Sequence, residues 1–265
     1  MKIQPAWHFN LANIEVTHHT IEVQGLNNAF SGYRLIQISD FHLGPWFKLD
    51  HLDAIVNSVN GLNPDLIAIT GDLVSRLDQS ILPGLASTLA KLKPRDATVA
   101  VLGNHDHWTD AGMIRDALKR SRVIDLSNTV ISIERDNAVL YIAGIDDFLS
   151  GHDDLGKVLP QINDGHPAIL LAHEPDYIEV SATTQKFILQ LSGHTHGGQI
   201  IFPLIGPLYL PPYGRKYPGG MHRVGEMLLY TNRGLGTSWL GVRMNCPPEI
   251  TVFTLQPVET KPANT

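Results

Sequence analysis

At 265 residues, with 43% hydrophobic and 17% charged residues, the chain has the balance of a soluble globular protein, and disordered and fibrous classes are excluded. A net charge of −6 argues against indiscriminate nucleic-acid binding, so no stable nucleic-acid partner is expected. The lone Cys246 excludes an internal disulfide framework and fits a reducing compartment.

In chain order, Arg34–Ser39 reads as a buried strand, followed by Leu49, Leu52, Ile55, Val56, Val59 and Leu62 at helical spacing. Leu66–Ile69 is the next strand, and the helix after it places Ile81, Leu82, Leu85, Leu89 and Leu92 on one face, with Pro83 tolerable only in its first turn. Thr98–Leu102 is a third strand, followed by a helix near 110–120 with Asp110 as its N-cap. Alternation of this kind builds a sheet with crossover helices. Beyond Val123 the runs are strand-rich: Thr129–Glu134, Val139–Ala143, Ala168–Ala172, Phe187–Leu191, Leu228–Thr231 and Ile250–Leu255. Short helices fit near Asp153–Leu159 and after Pro175. The expected fold is α/β, one domain over residues 1–265, with two packed sheets and helices outside.

Residues 203–220 are half Pro and Gly, which excludes regular structure, yet they carry too many Leu and Tyr for a flexible linker. They must pack against something, as a loop on their own domain, a cap over a site, or a surface for an acyl chain or membrane. From Pro203 to Asn245, Arg215, Lys216, Arg223, Arg233 and Arg243 stand against Glu226 alone, a local balance of 5 − 1 = +4 that could meet an anionic ligand. The tail after Gln256 reads as disordered. The first 20 residues are interrupted by Pro5, Asn10, Asn13 and Glu15, unlike a signal peptide. No run approaches the roughly 18 apolar residues of a transmembrane helix. A cytoplasmic location is expected, with peripheral membrane contact left open.

Five short sequences share one placement, each just after a predicted strand: Ser39-Asp40-Phe41-His42, Gly71-Asp72, Gly103-Asn104-His105-Asp106, Ala172-His173-Glu174-Pro175 and Gly193-His194-Thr195-His196-Gly197-Gly198. Loops at the carboxyl ends of strands converge on one crevice in α/β sheets, so these residues can meet. Asp, His and Asn without a thiolate suit Mn²⁺, Fe²⁺/Fe³⁺, Zn²⁺ or Co²⁺, not structural zinc. The candidates exceed what one ion needs, whereas two ions sharing a carboxylate would use them all. Each motif alone has an ordinary explanation, since Asp and Asn cap and turn and single histidines are common in cores. All five in order do not.

The pattern D-x-H, G-D, G-N-H-[DE], lone H and G-H-x-H resembles the calcineurin-like metallophosphoesterases, over about Gly32 to Leu255. That resemblance implies two mixed β-sheets flanked by helices. It implies two divalent ions, one on Asp40, His42 and His196, the other on Asn104, His173 and His194, with Asp72 bridging. Two such cations lower the pKa of a bridging water, so a hydroxide attacks phosphorus in line near neutral pH while the metals offset phosphoryl charge. His105 resembles the family's non-ligand histidine, placed to stabilise the transition state or protonate the leaving oxygen, with Asp106 orienting its ring. His107 and Trp108 receive no role. His8, His18, His19, His51, His152, His166 and His222 have no ligand-like company.

Gly193–Gln199, the Pro-rich loop, Tyr230-Thr231-Asn232-Arg233-Gly234-Leu235-Gly236 and Pro247-Pro248-Glu249-Ile250 are similar to one bacterial branch of that family. The branch contains membrane-associated phosphodiesterases and enzymes of the UDP-2,3-diacylglucosamine pyrophosphatase type. The resemblance therefore implies a manganese-type phosphodiesterase or pyrophosphatase acting on a small nucleotide- or lipid-linked phosphoester, with residues 203–245 choosing the substrate. A non-catalytic scaffold of the same fold and a DNA nuclease are the rival expectations.

Overall fold

The computed structural model describes residues 3–5, 10–75 and 81–258. Strands β1 (Ile3–Pro5), β2 (Glu15–Val23) and β3 (Tyr33–Ile38) precede α1 (Leu49–Gly61). Then come β4 (Leu66–Thr70), α2 (Ile81–Leu89), β5 (Ala97–Val101), α3 (Asn104–Thr109), α4 (Ala111–Ser121) and β6 (Ile124–Asp125). Next are β7 (Thr129–Arg135), β8 (Ala138–Gly144), α5 (Leu155–Val158), β9 (Ala168–Leu171), α6 (Ile178–Ser181) and β10 (Leu189–Ser192). The last part holds β11 (Ile201–Phe202), β12 (Gly206–Pro207), β13 (Gly220–Val224), β14 (Met227–Thr231), β15 (Val242–Met244) and β16 (Glu249–Pro257).

One six-stranded sheet runs β2-β16-β3-β4-β5-β6 and the other β13-β14-β10-β9-β8-β7. In the first, β3, β4, β5 and β6 are parallel, with Leu35 opposite Leu66 and Ile67 opposite Thr98. In the second, β8, β9, β10 and β14 are parallel, with Leu189 opposite both Ile169 and Leu228. The antiparallel pairs β16/β3, β7/β8 and β13/β14 make both sheets mixed.

Strand periodicity explains the layers, because successive side chains leave opposite faces. Ile36, Ile38, Ile67 and Ile69 pack outward on α1, α2 and α4 through Leu52, Ile55, Leu85, Leu89, Ile114 and Leu118. Their neighbours Leu35, Leu66, Ala68 and Val99 face Leu140, Ile142, Ile169, Leu171, Leu189 and Leu191 between the sheets. The outer face of the second sheet, Ala143, Leu170 and Leu229, packs on Val158, Tyr177 and Ile178. The result is the helix–sheet–sheet–helix sandwich expected from the sequence. Asp110 caps α4 by accepting the Met113 N–H at 3.0 Å, as its position predicted.

Several expectations change. Glu15–Val23 joins the first sheet at an edge, parallel to β16, so the ordered fold starts well before Gly32. Residues 203–220 are not free of regular structure, since Gly206–Pro207 pairs antiparallel with Ile201–Phe202 and Gly220 opens β13. Strand β16 extends to Pro257, past the expected end of order; residues 259–265 and His8 lie outside the described residues. Among the described residues, no helix is long and apolar enough to cross a membrane.

Candidate metal centre

Strands β3, β4 and β5 end beside one another, and so do β9 and β10 of the facing sheet. The chain leaving these five strands carries Asp40 and His42, Asp72, Asn104 and His105, His173, and His194 and His196. The two sheets are tied at this end by Gln37, whose side-chain amide donates to the Thr70 hydroxyl at 3.0 Å and to the Ser192 carbonyl at 2.9 Å. All seven candidate ligands, Asp40, His42, Asp72, Asn104, His173, His194 and His196, are buried and come together there.

Local backbone geometry aims them inward. Asp40, His42, Asp72, His194 and His196 all have positive φ, from 49° to 71°, a left-handed conformation costing an L-residue about 1–2 kcal/mol each. Such strain collected in one crevice marks a functional site. Two glycines make room: a Cβ on Gly103 would stand 2.3 Å from Asp72 Oδ1 and 2.6 Å from His173 Nε2, and one on Gly193 2.2 Å from Asp40 Oδ2.

The donors form three overlapping groups able to hold metal: Asp40–His42–His196, His42–Asp72–His105 and Asp72–His173–His194, with ligand atoms within 4.8 Å of one another. Asp72 Oδ2 lies 3.3 Å from His42 Nε2 and 3.3 Å from His173 Nε2, between the two ends of the cluster. His173 Nδ1 meets the Thr70 carbonyl at 2.7 Å and His194 Nε2 the Pro212 carbonyl at 2.8 Å, so both rings carry their proton on that outer nitrogen. Their inner nitrogens, 3.3 Å apart, face each other and are the ones left to ligate a cation. His196 Nε2 stands 2.9 Å from His42 Nε2, and the buried His42 Nδ1 and Asn104 Oδ1 have no hydrogen-bond partner among the described residues. An orphaned amide oxygen beside ring nitrogens and carboxylates that crowd one buried point is costly unless a cation sits among them, so the residues fit a pair of divalent ions.

Electrostatics agree with this fit. Burial drives His42 down to about 3 and His194 down to about 4, and it holds His196 well below the usual histidine range. These imidazoles are neutral, as ligands must be. Burial, together with the Asp72 charge, lifts Asp40 to about 7 without a metal. Burial would also raise Asp72 and lower His173, but each outweighs it for the other: His173 keeps Asp72 well below the carboxylate range, and Asp72 lifts His173 well above 6.5.

His105 stands at the rim, edge-on to His42 with ring centroids 4.6 Å apart, and its backbone N–H donates to Asp72 Oδ1 at 2.9 Å. Asp106 does not orient it. The Asp106 carboxylate instead accepts the N–H groups of Leu73, Val74 and Gly103 at 2.9, 3.2 and 3.0 Å, which fixes the loop after β4 against the start of α3. Turn chemistry, the plainer reading of that residue, is the one realised. His107 pairs with Asp146 at 2.7 Å and stacks on His152, away from the ligands. His19, His51, His166 and His222 make packing or backbone contacts elsewhere.

A cleft of about 660 Å³ opens above the centre, reaching Asp72, Asn104, His105, His194 and His196 on its floor. Its walls are Trp108, Leu149, Leu208, Tyr209, Pro211, Pro212 and Trp239. Trp108 and Trp239 went unassigned from the sequence; the position of Trp108 three residues after His105, on the same short helix, was the available signal. Among the described residues, no Lys or Arg lines the cleft. Three of the five cations in residues 203–245 are engaged elsewhere. Arg243 is buried, donating to the carbonyls of Arg233, Gly234 and Gly236. Arg233 pairs with Glu249 and Glu15, and Lys216 with Glu179.

Comparison with known proteins agrees with this geometry. Residues 33–198 match the family model of the calcineurin-like phosphoesterases. The chain is 38% identical over 251 residues to the uncharacterized metallophosphoesterase YkuE of Bacillus subtilis, covering 92% of this chain and 86% of that one. It is 33% identical over 230 residues to the phosphodiesterase YaeI of Escherichia coli, covering 84% and 82%. Among solved structures, the NAD nucleotidase of Haemophilus influenzae shares the fold with a TM-score of 0.50 at 16% identity, over 76% of this chain and 45% of that one. The family match and these relatives, over a chain that buries an Asp/His/Asn crevice between two mixed sheets, mean that it belongs to the calcineurin-like phosphoesterases and is a metal-dependent hydrolase of phosphoester bonds.

Proposed function

We propose that the protein is a phosphodiesterase or pyrophosphatase acting on a small nucleotide- or lipid-linked phosphoester. Asp40, His42 and His196 hold one divalent ion, Asn104, His173 and His194 hold the second, and Asp72 lies between them. The observation that carries this reading is the convergence of ring nitrogens of His42, His173, His194 and His196 around the carboxylate of Asp72. When bound, such an ion pair supplies a nucleophile at neutral pH and positive charge beside the phosphoryl oxygens.

The chain's own residues do the rest. Thr70 and Pro212 fix the ring orientations of His173 and His194 through their carbonyls. The His194 backbone N–H donates to both oxygens of Asp40, at 3.0 and 3.1 Å. His105, partly exposed at the rim, is the proton donor or hydrogen-bond donor for the leaving oxygen. The apolar walls receive the leaving group. Intact ligands disfavour a scaffold, and a cleft lined by no Lys or Arg among the described residues disfavours a DNA nuclease.

The test is hydrolysis of phosphomonoesters, soluble diesters, nucleotide-sugars and acylated nucleotide-sugars by Mn²⁺-loaded protein, with a His105→Ala control. Diester or anhydride turnover is expected, falling by about 10²-fold or more in the control at unchanged metal content. Selective monoester turnover, or a control as active as the parent, would contradict the assignment.

A further inference from the structure

The apolar wall of the cleft does not stop at its mouth. Strands β11 and β12 form a small hairpin, closed by Leu208 N–H to the Ile200 carbonyl at 2.8 Å, and its turn projects Leu204 and Ile205. Leu204 is fully exposed and Ile205 is 83% exposed, and Leu204 sits in a left-handed backbone at φ 68°. A hydrophobic pair held this far into water gains nothing from folding in an isolated molecule, and as part of a larger apolar face it marks a contact surface. Phe202, Leu208, Tyr209, Trp239 and Leu240 are also exposed, and Tyr209 packs edge-on against Trp239 at 6.4 Å, joining hairpin and neighbouring loop into one apolar face.

Three features identify what covers this face. Between Gly197 and Gly214 the chain carries no Asp, Glu, His, Lys or Arg, so nothing there resists entry into a hydrocarbon environment. The uncharged run ends at Arg215-Lys216, and Arg215 is exposed without an ion-pair partner among the described residues. An apolar tip with Trp and Tyr beside it and a basic flank has the composition of a lipid–water interface, with the cation complementary to anionic headgroups. Leu208, Tyr209 and Trp239 belong both to this face and to the wall of the cleft above the metal centre, so the face is continuous with the site.

We propose that the Phe202–Tyr209 hairpin, with Trp239 and Leu240, docks the protein on an anionic lipid bilayer, with Leu204 and Ile205 entering the acyl region, so that a lipid-linked phosphoester reaches the cleft along Leu208, Tyr209 and Trp239. The lipid-linked substrate rests on the phosphodiesterase reading; the docking does not.

The experiment measures co-flotation of the Mn²⁺-loaded full chain with phosphatidylcholine/phosphatidylglycerol vesicles, and in parallel its turnover of a soluble nitrophenyl phosphodiester. A Leu204→Ser/Ile205→Ser variant changes two residues outside the cleft, and is expected to keep the soluble turnover and lose about tenfold or more in vesicle partitioning per side chain. Parent protein that hydrolyses the soluble diester but stays off the vesicles would overturn the docking and leave the activity standing. Vesicle binding without diester turnover would do the reverse. Equal partitioning of variant and parent would overturn the docking too. So would concentration-dependent dimerisation of the parent, abolished in the variant and unaccompanied by vesicle binding, which would assign the face to a second copy of the chain.

Discussion

The two ends of the metal centre present similar donors but are backed differently. Behind His173 and His194 stand carbonyl oxygens, those of Thr70 and Pro212, which accept the outer ring proton and leave the inner nitrogen to ligate. Behind His196 stands the Arg243 guanidinium, 3.2 Å from Nδ1, and behind His42 Nδ1 no hydrogen-bond partner among the described residues. A carbonyl acceptor raises imidazole basicity, whereas a guanidinium, which can only donate, lowers it. The His173/His194 end is therefore expected to be the tighter site, with the Asp40/His42/His196 end relying on the carboxylate charge of Asp40. Arg243 has a structural duty as well, since it ties the Arg233–Gly236 loop together and Gly234 of that loop packs against Asp40.

Asp72→Ala removes the group common to both ends and is expected to produce the largest loss. Metal content should drop at both ends and diester turnover by about 10³-fold or more, because nucleophile supply and charge stabilisation fail together. Turnover within tenfold of the parent would erase the bridging role.

Next come two glycine substitutions that separate the ends. Gly193→Ala drives a methyl into Asp40 Oδ2 and Ser39 Oγ, so it should weaken only the Asp40 end, by about 10–100-fold in metal affinity. Gly103→Ala drives one into Asp72 Oδ1 and His173 Nε2 and should weaken both. Identical titration curves for the two variants would dissolve the distinction.

The pH dependence should follow the protons each end must give up. Metal competes with a proton on Asp40, raised to about 7, at one end, and with a proton on His173, raised by Asp72, at the other. Affinity should therefore climb with pH by about tenfold per unit for each proton displaced, and the Asp40 end should level off above about pH 7. Calorimetric titration in buffers of different ionisation enthalpy reads the proton count, and metal uptake without proton release would refute the assignment. The smallest effect belongs to Arg243→Lys, which keeps the charge but loses the fork of donors. It should lower affinity at the Asp40 end by up to about tenfold and reduce thermal stability, leaving the other end unchanged.

Much of this centre was legible in the sequence because its logic is local. Each candidate ligand follows a strand whose apolar run is plain, and parallel strands with crossover helices bring their ends together. What escaped depended on contacts made far along the chain. Arg243 read as a free cation, and only the folded loop shows its donors used by the carbonyls of 233, 234 and 236. Asp106 read as a partner of the adjacent imidazole, but three backbone amides outbid that ring for its carboxylate. Strand β2 was missed because most of it is solvated at a sheet edge, where burial imposes no apolar alternation until Ile21 and Val23. The reach of Leu204 into solvent depends on a two-residue ladder between Ile201–Phe202 and Gly206–Pro207, too short to leave a periodic signal.

The central claim is a two-ion centre with unequal ends, and stepwise Mn²⁺ titration of metal-free protein, followed by elemental analysis and diester turnover at each step, tests it most directly. Two ions per chain are expected, the first bound more tightly and nearly silent in turnover, the second bringing full activity. Full turnover with one ion, or with none, would contradict the account.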